Sequence, residues 1–154
     1  MYGVSQIDIC EDVAVITLGN MPLDPALAAD FFEQLGRAGI IIDMVSQASP
    51  VGERVSLAFT CLDADLRGVL DMTKQLSQAH PGISSMVSAG NVKVQLFGEE
   101  MRRQSGVFAR ALRALAGAGA EPQLVTTSEV DISLLLPAAC LPEVQTALQK
   151  AFNI

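Results

Sequence analysis

One short pattern occurs twice in this 154-residue chain, and a fold has to accommodate both copies. Ala38, Gly39, Ile40, Ile41, Ile42, Asp43, Met44, Val45, Ser46 and Gln47 end a helical stretch and open an apolar run. Val125, Thr126, Thr127, Ser128, Glu129, Val130, Asp131 and Ile132 do the same later, after a Gly-rich helical stretch. A duplicated helix-to-strand unit favours two small domains over one, and domains of about 50 residues and upward fold alone. A repeated module with a single His and no catalytic cluster points to binding and response rather than to chemistry.

Half of the residues are hydrophobic and 18% are charged, enough apolar material for packed cores and little sign of disorder. The formal net charge of -7 repels phosphate backbones and anionic lipid surfaces, so no nucleic-acid or membrane partner is expected. The opening residues lack a basic cluster followed by an apolar core, and no apolar run approaches the roughly 18 residues of a membrane span. A cytoplasmic location is the expectation. Cys10, Cys61 and Cys140 are odd in number, widely spaced and set among apolar neighbours, which suits reduced packing thiols rather than a disulfide or metal framework.

Residues 4–9 and 13–18 are β-rich runs around the polar Cys10, Glu11 and Asp12, which reads as a hairpin, with a turn following at 19–23. Asp24 followed by Pro25 is a helix start: Asp accepts orphan amide protons and Pro tolerates the first helical position. Leu27, Ala28, Phe31, Phe32 and Leu35 then form one apolar stripe, and the helix should end at Gly39. Strands are expected at 40–46 and 55–61, a helix at 63–79 burying Leu66, Val69, Leu70, Thr73 and Leu76, and a strand at 83–89. After a turn at Gly90 and Asn91 the order repeats: strand 92–97, helix 107–118, strands 123–127 and 130–136, helix 141–152. Two ferredoxin-like βαββαβ units of an α+β fold fit this order.

The second unit lacks a last strand, since only Asn153 and Ile154 follow its final helix, whereas the first has a spare one at 4–9. The N-terminal strand is therefore expected to complete the second sheet, giving modules of residues 10–90 and of 91–154 plus 3–9. Such a unit covers one sheet face with helices, yet Val13, Ala14, Val15, Ile16 and Leu18 offer apolar groups to both faces. Ile40, Ile41, Ile42, Met44 and Val45 do so too, as do Ile132, Leu134, Leu135 and Leu136. Apolar surface on that scale calls for a second layer from another subunit, hence a homodimer, or for the two modules to cover each other.

Val94, Gln95, Leu96, Phe97 and Gly98, through Met101, Gly106, Val107, Ala109, Leu112, Leu115 and Ala118, to Thr127, Ser128, Glu129, Val130 and Ile132, resemble the second ACT module of aspartate kinases. Residues 40–47, with Phe59 and Thr60, resemble their first, so the similarity spans nearly the whole chain. Its most specific piece is Thr127-Ser128-Glu129-Val130. The resemblance implies a regulatory domain that binds an amino acid, lysine or threonine, at an interface between ACT modules, with no cofactor and with an aspartate kinase catalytic chain as a possible partner. Aspartate kinases carry their nucleotide and aspartate site in an N-terminal domain. No phosphate loop or Lys-containing kinase motif precedes Val4, so a regulator without kinase activity, free-standing or excised, is expected.

A ligand amino acid needs amide donors for its carboxylate and an acceptor for its ammonium, and a helix N-terminus supplies the donors. The resemblance puts the first site in the loop of Leu23, Asp24 and Ala26, with Gln47 touching the effector. Leu23 and Ala26 stand where the family has an acidic residue and a glycine, so an acceptor is lost and a Cβ narrows the approach. In the second copy the resemblance points to Gly119 and Glu121, beside a Pro122 that has no amide proton. Arg102 and Arg103, just before Gly106, could meet an anionic group there, or be neutralised by Glu99 and Glu100. An enzyme finds no support: the one imidazole, His80, sits beside Pro81 in a loop, and Asp63 and Asp65 lie at a helix start. The rival reading is an interaction subunit that has lost its ligand.

Overall fold

The computed structural model describes residues 2–154. It divides into two compact units: one takes the chain up to Glu11 together with Gly90–Ile154, the other is Asp12–Ala89. Strand β1 (Gln6–Pro22) is followed by helix α1 (Pro25–Arg37), β2 (Val45–Gln47), β3 (Arg54–Leu62), α2 (Leu66–Ala79) and β4 (Ser84–Phe97). Then come α3 (Val107–Gly117), β5 (Leu124–Thr127), β6 (Asp131–Pro137) and α4 (Leu141–Phe152). Both units are α+β, and each packs two helices on an antiparallel sheet.

In the Asp12–Ala89 unit the strand order is β2-β3-β1-β4, and β1 faces β3 with Ala14 opposite Cys61 and Ile16 opposite Phe59. Alternation sets the core: Ala14, Ile16 and Leu18 of β1 and Leu57, Phe59 and Cys61 of β3 pack with Phe31 and Leu35 of α1 and Val69 and Leu76 of α2. In the other unit the order is β1-β4-β6-β5, with Val94 opposite Leu134. Val92, Val94 and Leu96 of β4 join Ile132, Leu134 and Leu136 of β6 under Ala111 and Leu115 of α3 and Val144, Leu148 and Phe152 of α4. The leading segment belongs to this second core. Val4 is fully buried in it, and the Ser5 amide donates to the Phe97 carbonyl at 2.8 Å.

Several sequence expectations are corrected. No hairpin forms at Cys10, Glu11 and Asp12, nor a turn at 19–23: β1 runs through both. Asp12 instead takes one left-handed conformation (φ 56°) within the strand, a device that bends and twists a strand without ending it. Gly90 (φ 68°) does the same in β4, so the expected turn at Gly90 and Asn91 is also strand. Asp12 and Gly90 are the residues at which β1 and β4 pass from one unit to the other. The strand expected at 40–46 shrinks to Val45–Gln47, because the Met44 amide donates to the Thr60 hydroxyl (2.9 Å) rather than to a ladder carbonyl.

Burial on the second face differs from strand to strand. Val13, Val15 and Leu135 are 4%, 7% and 0% exposed within the single chain. Ile41 and Val45 do remain exposed, and Leu70 of α2 is exposed rather than buried.

Cys61 is buried in one core, Cys140 is half-buried and packs against the other, and Cys10 is exposed on β1. Burial, and then the nearby Asp65 and Asp63 carboxylates, push the Cys61 thiol from 9.0 up to about 11. The thiolate is the nucleophile, so iodoacetamide at about pH 8 should alkylate Cys10 in the native protein and spare Cys61 until the chain unfolds. Because the folded state holds this proton more tightly, its contribution to stability is complete below pH 9.0 and lost as pH rises towards about 11. A Cys61→Ala variant should lack that alkaline slope in melting temperature.

Candidate functional site

Each unit has a strand-to-helix junction where amide protons are left without helical acceptors, and the two junctions differ chemically. At α1 the Asp24 side chain caps the helix, accepting from the Ala26 amide at 3.0 Å, while Pro25 at the first helical position has no proton to offer. The Leu23 amide is spent on the Glu53 carbonyl (2.9 Å), and the Leu23 side chain is exposed. The α1 start is thus already satisfied by its own chain, and Gln47 sits apart from the loop in sequence, as the exposed last residue of β2 opposite Leu57.

At α3 the N-cap is Gly106, in the left-handed conformation (φ 80°), with no side chain to cap the helix. A single 3-10 turn, Glu99–Arg103, leads into it. Beside this junction lies a crevice of about 660 Å³. Arg102 and Gln104 line it from the approach, Phe108 from α3, and Thr127, Ser128 and Glu129 from the end of β5 and the turn into β6. That turn is held from inside: the Ser128 hydroxyl accepts from the Val130 and Asp131 amides, both at 3.2 Å, and the Ser128 amide donates to the Asp131 carbonyl at 2.9 Å. The Gly98 amide donates to the Val130 carbonyl at 2.9 Å, tying the approach to α3 against the same turn.

Arg102 is the hinge of the crevice chemistry. Its Nε lies 3.4 Å from Glu99, and its Nη1 pairs with the Glu129 carboxylate. Both partners of the second pair are exposed, and such a pair is worth about 0–1 kcal/mol, so it is readily exchanged for a ligand's charges. A zwitterion could take the Arg102 guanidinium with its carboxylate and the Glu129 carboxylate with its ammonium. Thr127 and Gln104 add hydroxyl and amide groups, and Phe108 and Ile132 an apolar wall.

The structure therefore brings Arg102 together with Thr127, Ser128 and Glu129, and leaves the other expected residues elsewhere. Arg103 is exposed and does not line the crevice. Gly119 (φ 68°) ends α3, and Glu121 is exposed in the loop beyond it. They stand at the opposite end of an 11-residue helix from Arg102, roughly 16 Å away along its axis. Gln104, Phe108, Ser128 and Glu129 were not among the expected ligand-binding residues. The available signal was a glycine, rather than Ser, Thr, Asp or Asn, just before a helical stripe, leaving that helix start uncapped.

The model of the ACT domain family matches residues 94–152, the α3 and α4 unit without its first strand. Over the whole chain, the regulatory subunit of aspartate kinase from Thermus thermophilus, in a ligand-free form, superimposes with a TM-score of 0.81 at 30% identity, covering 94% of this chain and 98% of that one. This chain belongs to the aspartate kinase regulatory family. The Thermus flavus regulatory subunit agrees with a TM-score of 0.86 at 29% identity, over 97% of this chain and 99% of that one. The aspartokinase of Mycolicibacterium smegmatis is 34% identical over 145 residues, 92% of this chain but only 34% of the relative. The chain thus spans about a third of the curated aspartokinases it matches, and corresponds to their regulatory part. Among the described residues no helix is long and apolar enough to cross a membrane.

Proposed function

We propose that this chain is the amino-acid-sensing regulatory part of an aspartate kinase, with lysine or threonine as effector, acting on a kinase catalytic chain and assembling as a homodimer. The observation that carries the reading is the crevice at the uncapped start of α3, where one cation and one carboxylate stand ready for a zwitterion. Lysine and threonine both bring that pair of charges, and the family offers regulation as the consequence. β2 is an edge strand, and exposed Ile41 shortly before it and Val45 within it suit pairing with a second copy.

Thermal denaturation against each of the twenty amino acids tests this. A ligand at 100 times its dissociation constant stabilises by about 2.7 kcal/mol, so lysine or threonine should raise the melting temperature by several degrees. Glu129→Ala should weaken that response about tenfold or more in effector concentration, whereas Gln47→Ala separates a site at β2 from one at α3. The rival reading, a ligand-free interaction subunit, draws on the self-neutralised Arg102 and on the Asp24 cap that uses up the α1 donors. It predicts no shift with any amino acid but capture of a kinase catalytic chain.

A further inference from the structure

The chain is acidic overall, yet three of its ten Lys and Arg residues, Arg110, Arg113 and Lys150, line one groove between α3 and α4. The groove measures about 980 Å³, is open to solvent and has no Asp or Glu in its lining. Among the described residues none of the three cations forms an ion pair with a carboxylate. Arg110 is fixed in place: its guanidinium stacks 3.9 Å from the centre of the Tyr2 ring, and its Nη1 donates to the Ala151 carbonyl at 3.1 Å. That uses one of five N–H donors. Arg113 and Lys150 are exposed.

Between the cations the groove is lined by small residues, Ala109, Ala114 and Gly117 from α3 and Ala147 and Ala151 from α4, so another backbone can approach closely. From Gly106 to Gly117 it follows α3 for roughly 16 Å. Beyond Gly117 it continues past Ala147 and Lys150 to Glu143, the first carboxylate met along it. These dimensions choose the occupant. In so open a groove a small anion keeps most of its hydration, and a single exposed ion pair contributes little. Three spaced cations over a shallow floor suit a ligand with several carboxylates along an extended body that can exclude water from the floor.

We propose that the α3–α4 groove is a docking site for an acidic, Asp/Glu-rich polypeptide segment of a partner chain, held by Arg110, Arg113 and Lys150. The groove adjoins the Arg102 crevice, with Gln104, Gly106 and Val107 lining both, but Arg110, Arg113 and Lys150 line the groove alone and their docking role does not depend on an effector in the crevice. The probe is a fluorescently labelled twelve-residue poly-glutamate peptide, added to the full chain and followed by anisotropy in roughly 20 mM salt. Saturable binding is expected, weakened about tenfold or more by the double variant Arg113→Glu/Lys150→Glu and several-fold by the neutral pair Arg113→Gln/Lys150→Gln. Both positions are exposed, and matching melting curves would show the fold intact. Arg103→Glu, on the far side of Gly106, should leave the affinity unchanged. The proposal is overturned if the peptide does not bind, if Arg103→Glu weakens it as much as the groove variants, or if tripolyphosphate at equal charge displaces it, which would make the groove a small-polyanion site.

Discussion

Replacing Gly98 with alanine should unfasten the leading segment of the chain from the α3–α4 unit. Gly98 has an extended backbone (φ -175°) that any residue can adopt, so the demand for glycine is purely spatial. A Cβ there would stand 1.8 Å from the Gly3 carbonyl oxygen and 3.0 Å from the Val4 Cα, and both are backbone atoms that no rotamer change can move aside. The leading segment must therefore shift, and the buried Val4 side chain and the Ser5-to-Phe97 hydrogen bond go with it. Overpacking alone costs about 1–3 kcal/mol, and exposing a Val side chain about 1.5 kcal/mol more, so a loss of roughly 3–4 kcal/mol is expected. Denaturant melts measure the total, and hydrogen exchange at the Ser5 amide localises it. A Gly98→Ala protein with wild-type stability and a protected Ser5 would refute the close approach.

Phe59→Ala should be costlier, and its damage should begin in the other unit. Phe59 is fully buried, with the Phe31 ring 5.9 Å away at 64° and the Phe32 ring 5.2 Å away at 75°, both edge-on. Those two rings also meet each other at 5.5 Å, so the three form one cluster joining β3 to α1. Truncating a buried Phe costs about 3–5 kcal/mol, and the lost edge-to-face contacts place this site at the upper end. With total stabilities of about 5–15 kcal/mol, that is a large fraction of what holds the protein folded. A melting temperature lowered by roughly 10 °C or more is expected by circular dichroism. A drop of only a degree or two would mean that α1 can close over the gap. Phe32→Leu, at a half-buried position, should cost much less.

The two predictions also mark how far reading along the chain can go. The β3 and α1 pattern was legible because Phe31, Leu35, Leu57, Phe59 and Cys61 fall at helix and strand periods, and those periods are local properties. The surplus strand at the start was legible by counting elements, since one unit had a strand too many and the other too few. What could not be read was the continuity of β1 and β4. Cys10, Glu11 and Asp12 look like a hairpin turn, yet a single left-handed residue lets the strand carry on, and only partners on both sides make that worthwhile. Alternation likewise shows that the face carrying Val13, Val15 and Leu135 is apolar, not what lies over it.

The candidate site divides along the same line. Thr127-Ser128-Glu129 stood out in the sequence as the most specific stretch, and Arg102 as a cation before a glycine, but nothing local joined them across the 27 residues that separate Arg102 from Glu129. Their meeting follows from β5 and β6 folding back beside the 3-10 turn, with the Gly98-to-Val130 hydrogen bond drawing the two together. Residue type and spacing, by themselves, determined the α+β class, the doubled module and the acidic surface, because each depends on side-chain chemistry and short-range periodicity. Only the tertiary structure decided which charges face one another, which helix start opens onto a crevice, and where three scattered cations, Arg110, Arg113 and Lys150, come to line one groove. Those depend on the packing of elements remote in sequence, and short-range patterns carry no information about such distances.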